Sequence, residues 1–142
     1  MVIFCTINYS KGACGGTILN EDTILSAAHC FIDEDSGATN KPYDVGDFIV
    51  AGITNRKNLG AAGAQRIRIK NITVHPFFNY NTFPKRDFDY SIVKLFKPLS
   101  FNTNVKPACL PRANLVVPGN VTVLASGWGK LLNGKFSFDF PL

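Results

Sequence analysis

Cys14-Gly15-Gly16-Thr17-Ile18-Leu19-Asn20-Glu21-Asp22-Thr23-Ile24-Leu25-Ser26-Ala27-Ala28-His29-Cys30 is the stretch whose reading decides the fold. Its two apolar runs, Gly16 to Leu19 and Thr23 to Ser26, are too short for helices and are separated by the spacing of one tight strand connection. Runs of the same kind recur outward from it, at Val2 to Asn8, Phe48 to Ile53, Ala64 to Val74, Ser91 to Phe96 and Val121 to Ser126. Gly, Pro, Asn and Asp clusters stand between them, the pattern of an antiparallel barrel or sandwich. Within Arg66 to Val74 the apolar positions run Ile67, Ile69, then Ile72, Val74, and the extra residue between the pairs predicts a bulge.

Composition agrees. The chain has 142 residues, 46% of them hydrophobic, enough for one modest domain with a core. Twelve Phe, 12 Gly and 8 Pro against one Met and one Trp favour strands and turns over long helices. The fold class expected is all-β.

The net charge of +5 is spread along the chain rather than gathered into a basic tract, so nucleic acid is not an expected partner. Arg56, Lys57, Arg66, Arg68, Lys70, Lys85 and Arg86 follow one another with no acid between them and are read as a solvated strand face. No apolar run approaches the roughly 18 residues of a membrane span, and the opening Met1 to Ile7 is not a signal peptide. No membrane contact is expected. Four cysteines and three N-x-[ST] sequons, at Asn8, Asn71 and Asn120, suit an oxidising setting. The expectation is a secreted, extracellular protein whose signal sequence lies outside this chain.

Asp33 to Asp47 is polar, holds half of the ten acids and is expected to be an exposed loop, with a helical turn just after Cys30. Asn55 to Gly63 reads as a second loop. Lys97 to Gly119, without periodicity and with Pro98, Pro107, Pro111 and Pro118, reads as an extended connector.

A lone histidine beside a cysteine is usually structural. Here Ala27 and Ala28 precede it, and small side chains let a strand end pack closely so that an imidazole projects into a cleft. The segments Cys14 to Leu19 and Thr23 to Cys30 closely resemble the C-G-G-[ST]-L-I and [ST]-A-A-H-C segments of the trypsin-like (chymotrypsin-fold) serine proteases. Asp89-Tyr90-Ser91-Ile92-Val93-Lys94-Leu95 resembles the segment that supplies the family's triad aspartate. The likeness continues through His75-Pro76-Phe77-Phe78-Asn79, through Val105 to Pro111 and through Ser126-Gly127-Trp128-Gly129.

That resemblance implies the first barrel of a double barrel over residues 1–96, an interbarrel connector over 97–118 and the start of a second barrel over 119–142. It implies His29 as general base and Asp89 as the acid that accepts the far ring N–H and holds the useful tautomer. Asp87 carries the same charge two residues earlier, but only Asp89 stands in the family's register. His75 is expected to be structural. The resemblance also bridges Cys14 to Cys30, a loop closure worth roughly 3 kcal/mol. Cys109 pairs in the family, when it pairs, with a cysteine upstream of this chain. Cys5 has no usual counterpart, so Cys5 and Cys109 are either free or joined to each other.

The G-D-S-G-G-P stretch that carries the family's nucleophile and oxyanion hole does not occur in this sequence. Ser10, Ser26, Ser36, Ser91, Ser100, Ser126 and Ser137 all read as turn, strand or loop residues. No cofactor or metal is expected: the resemblance would place a calcium loop near Asn55 to Gln65, where there is no acid. The expected activity is serine-type endopeptidase, on protein or peptide substrates, from an incomplete chain that is inactive by itself. The competing expectation is an inactive pseudoprotease that serves as a secreted binding or regulatory module, suggested by the unusual tail Phe136 to Leu142. Nothing in the sequence bears on oligomeric state.

Overall fold

In the computed structural model, residues 1–5, 14–32, 47–79, 87–116, 118–122 and 124–129 are described. Six strands form where the apolar alternation predicts them: β1 (Val2–Cys5), β2 (Gly15–Asn20), β3 (Thr23–Ser26), β4 (Phe48–Ala51), β5 (Gln65–Val74) and β6 (Ser91–Leu95). Every pairing is antiparallel, and the order β1-β2-β3-β6-β5-β4 closes on itself into a barrel. Closure gives each of the six strands a neighbouring strand on both sides. The expected bulge is present, as a register shift in the β5–β6 pairing between Ile69 and Asn71. It puts both apolar pairs of β5 against the barrel core despite the extra residue.

β1 and β4 are buried on both faces, and successive side chains serve two different cores. Val2, Phe4, Ile49 and Ala51 point into the barrel, where Phe4 meets Phe31 edge to face with centroids 5.3 Å apart. Ile3, Cys5, Phe48 and Val50 form an outer cluster with Ile53. The loop after β4 covers that cluster by packing Leu59, Ala61 and Ala64 against it, and Trp128 closes it from the far end of the described chain while donating Nε1–H to the Thr54 carbonyl at 2.7 Å. At Gly16 a glycine is obligatory, because a β-carbon would stand 2.6 Å from Ile24 Cγ2 and 3.0 Å from the Leu25 carbonyl.

Leu99 and Val105 belong to the stretch read as a connector, yet both are fully withdrawn into the barrel core. The strand expected at Val121 to Ser126 is not formed at its described residues, 121, 122 and 124–126. A strand needs a neighbour to satisfy its backbone, and no described residue pairs with this segment. The loop expected at Asp33 to Asp47 and the tail from Phe136 lie outside the described residues, apart from Asp47. The helical turn expected after Cys30 falls on the cysteine itself, as a 3₁₀ turn over Ala28–Cys30 that contains His29.

Candidate active site

β3 and β6 pair with Ser26 opposite Ser91, and continuing that register by two residues sets Asp89 against Ala28. The residue after Ala28 is His29, so strand pairing alone brings together two side chains sixty positions apart. Ser91 Oγ–H ties the two strand ends by donating to the Ala27 carbonyl at 3.1 Å. The Cys14–Cys30 disulfide, with a Cα–Cα distance of 6.2 Å, pins the 3₁₀ turn to the start of β2.

His29 Nδ1 lies 2.7 Å from Asp89 Oδ2, and the His29 backbone N–H donates to Asp89 Oδ1 at 2.9 Å. The nearby Ala28 N–H also lowers the pKa of this carboxyl. Burial pushes the Asp89 carboxyl up, but the hydrogen bonds from the His29 backbone and ring, with the charge of His29 and the Ala28 N–H, outweigh it. The net effect holds Asp89 below the usual carboxylate range and keeps it ionised at neutral pH. Its side chain is 21% exposed against 37% for His29, so the acid is the inner member of the pair and the imidazole the outer one.

An ionised carboxylate fixes a neighbouring imidazole as the Nδ1–H tautomer, leaving Nε2 with its lone pair for a proton. Asp87 is not part of this arrangement: its Oδ1 accepts the Phe88 N–H at 3.0 Å in an exposed turn. An open groove of about 540 Å³ adjoins the pair, with Asp89, Ala27, Gly15, Thr17, Tyr90 and Trp128 among its walls.

Among the described residues, the group spaced to hold a metal is Cys14, His29 and Cys30, but its two sulfurs are bonded to each other. Cys5 and Cys109 are both free thiols, the first buried and the second exposed, which excludes a bridge between them. Burial pushes Cys5 up to about 11, with the charge of Arg66 opposing and that of Asp47 adding, so it stays a protonated, unreactive thiol. Of the sequons, Asn71 and Asn120 are exposed, and Asn8 lies outside the described residues.

Sequence reading missed the Ala28 N–H as a support of the carboxylate, and missed the backbone of Phe88, which has a left-handed φ of 57° immediately before Asp89. The only residue-level signal for the second is the rarity of an aromatic residue in such a conformation, which a sequence does not display.

The closed antiparallel barrel, with a hydrogen-bonded histidine and aspartate beside a disulfide, agrees with the trypsin-like fold of the serine proteases. The profile of the family described as Trypsin matches residues 3–139, and the chain belongs to that family. It is 32% identical over 116 residues to the "Suppressor of tumorigenicity 14 protein homolog" of Bos taurus, covering 82% of this chain and 13% of the relative. It is 37% identical over 118 residues to "Transmembrane protease serine 9" of Rattus norvegicus, covering 83% and 10%. "Transmembrane protease serine 11C" of Mus musculus is 33% identical over 118 residues, covering 83% and 24%. The chain thus spans between a tenth and a quarter of the length of these relatives.

The expectation of a secreted protein is corrected by these relatives, two of which are transmembrane proteases by name. The reason is physical: disulfides and sequons mark an oxidising compartment, and a released domain and a tethered one meet the same compartment. No helix among the described residues is long and apolar enough to cross a membrane.

Proposed function

We propose that this chain supplies the general base, His29, and its orienting acid, Asp89, for serine endopeptidase chemistry on protein or peptide substrates. The nucleophile comes from sequence outside these 142 residues. The observation that carries this reading is the carboxylate of Asp89, which accepts from both the ring and the backbone N–H of His29 while the imidazole stays more exposed. In the cycle, Nε2 takes the hydroxyl proton as the serine attacks the scissile carbonyl, Asp89 stabilises the imidazolium that results, and the same proton then goes to the leaving amine. Residues 1–96 form the barrel that holds the pair, 97–118 the connector and 119–142 the beginning of a second barrel. The short span relative to the family's members supports a chain that is one part of the working enzyme.

The test has two arms. The 142-residue chain is expected to leave a fluorogenic peptide intact, and a longer product of the same transcript carrying G-D-S-G-G-P is expected to cleave it. In that product Asp89→Asn lowers kcat by on the order of 10⁴, the figure known for the archetypal triad of this family. Hydrolysis by the short chain that His29→Ala abolishes would overturn the division of labour. A longer product indifferent to His29→Ala would overturn the role of the pair.

A further inference from the structure

Asp89 directly follows Phe88, and Phe88 stands in a conformation that a phenylalanine avoids. With φ at 57°, its β-carbon crowds the backbone, and unlike Asn or Asp it has no short polar group to compensate. The consequence is local and useful. The Tyr90 N–H donates to the Phe88 carbonyl at 2.7 Å, which closes a three-residue turn with Asp89 at its apex. From that apex the carboxylate accepts from the backbone N–H and the ring of His29.

What surrounds Phe88 is a cluster of rings. The His75 imidazole stacks on it, with centroids 4.8 Å apart and planes 10° from parallel. Phe77 meets it at 5.7 Å and 60°. His75 in turn contacts Tyr90 at 4.5 Å and Phe77 at 5.6 Å. The imidazole is itself fixed, because its Nδ1 accepts the Phe77 N–H at 3.3 Å and the His75 N–H donates to the Tyr90 carbonyl at 3.2 Å.

This cluster is no part of the barrel core: Phe77 is 70% exposed, Phe88 41% and Tyr90 45%. The rings thus gather outside the barrel core, around the residue that immediately precedes Asp89. Several stacked and edge-on contacts are together of the size of the cost of one non-glycine left-handed residue.

We propose that the rings of His75, Phe77, Phe88 and Tyr90 are a positioning device, which holds Phe88 left-handed so that the Asp89 carboxylate faces Ala28 and His29. They act through Asp89, and their importance for catalysis rests on the reading of His29 and Asp89 given above. His75, the second of the chain's two histidines, thereby acquires a function beyond packing.

The test uses nuclear magnetic resonance on the 142-residue chain. Its readouts are the Nδ1–H resonance of His29 and the exchange rate of the His29 backbone amide, measured relative to the Val93 amide in the barrel wall so that changes in global stability cancel. Asp89→Asn in the otherwise unchanged chain is the control. If it leaves both readouts alone, the pairing of His29 with Asp89 fails. If it moves them, the ring variants decide the inference separately.

Phe88→Ala removes the ring but keeps the steric penalty, and is expected to speed relative exchange about tenfold and to shift the Nδ1–H signal toward its Asp89→Asn value. Phe88→Gly removes the ring and the penalty together, and is expected to return exchange to within about twofold of the parent. A merely structural ring would give the opposite order, with glycine worse than alanine. That order, or no effect of Phe88→Ala, overturns the proposal. Should Phe88→Ala not fold, His75→Ala against His75→Phe asks the same question. The device requires loss in the first and retention in the second, and equal behaviour of the two overturns it.

Discussion

Residues 2–95 and residues 106–129 draw on the same apolar side chains and use them in opposite ways. In the barrel, Phe4, Ile24 and Ile69 are fully buried. In the later stretch Leu110 is 65% exposed, Val116 83% and Leu124 97%. Hydrophobicity therefore does not by itself place a side chain inside. The barrel strands bury theirs because each strand's backbone is paired on both sides, and closure then forces alternate residues into one interior. The later stretch lies along the barrel, held by contacts such as the Ala108 N–H to the Ile18 carbonyl at 2.8 Å, and among the described residues nothing covers its outer face.

The contrast can be broken by mutation. The largest effect is expected from Phe4→Ala, which empties the barrel interior and costs about 3–5 kcal/mol, read from a denaturant midpoint. A cost under about 1 kcal/mol would show the barrel to be less tightly packed than its burial implies. Next comes replacement of Cys14 and Cys30 together by serine, which releases a constraint across a sequence separation of 16 and costs roughly 3 kcal/mol in the same measurement. Stability unaffected by that pair of changes would mean that barrel closure alone fixes the His29 turn.

A smaller effect belongs to Asp89, and its sign follows from linkage. Its folded-state value lies below the ordinary one of 3.8, so its stabilising contribution is complete above that pH and disappears as pH falls through the lower, folded value. The parent should lose stability faster than Asp89→Asn on acidification below about pH 4. Parallel acid profiles of the two proteins would refute the favourable placement of the carboxylate. The smallest effect is expected for Leu124→Ser, within about 0.5 kcal/mol of the parent by the same denaturant midpoint. A loss approaching that of Phe4→Ala would mean that Leu124 is covered after all, and the contrast between the two regions would fall.

Much of the site was legible from residue types because its parts are local. The small residues before His29, the cysteines flanking β2 and β3, and the aspartate opening the apolar run of β6 each stand in a short motif, although His29 and Asp89 themselves lie sixty positions apart. The preference for Asp89 over Asp87 rested on its place in the family motif, whereas the structure adds a cause the sequence did not supply: the β3–β6 register, in which Ser26 opposite Ser91 leads to Ala28 opposite Asp89. The strand expected at Val121 to Ser126 failed for the complementary reason: alternation predicts a strand, but the backbone requires a partner that the sequence pattern does not name.

By itself, then, the sequence determined the all-β class, the approximate strands and the bulge in β5, because each is written in periodicity, while the pairing of His29 with Asp89 and of Cys14 with Cys30 was implied by the resemblance of short motifs to those of a known family. Only the tertiary structure decided that β1 and β4 feed two cores, that Leu99 and Val105 plug the barrel, that His29 rides on a 3₁₀ turn and that a left-handed Phe88 shares a surface cluster with the rings of His75, Phe77 and Tyr90. Those features arise from contacts between residues distant in the chain or from backbone angles a side chain would not choose alone. Neither leaves a local trace in the order of amino acids.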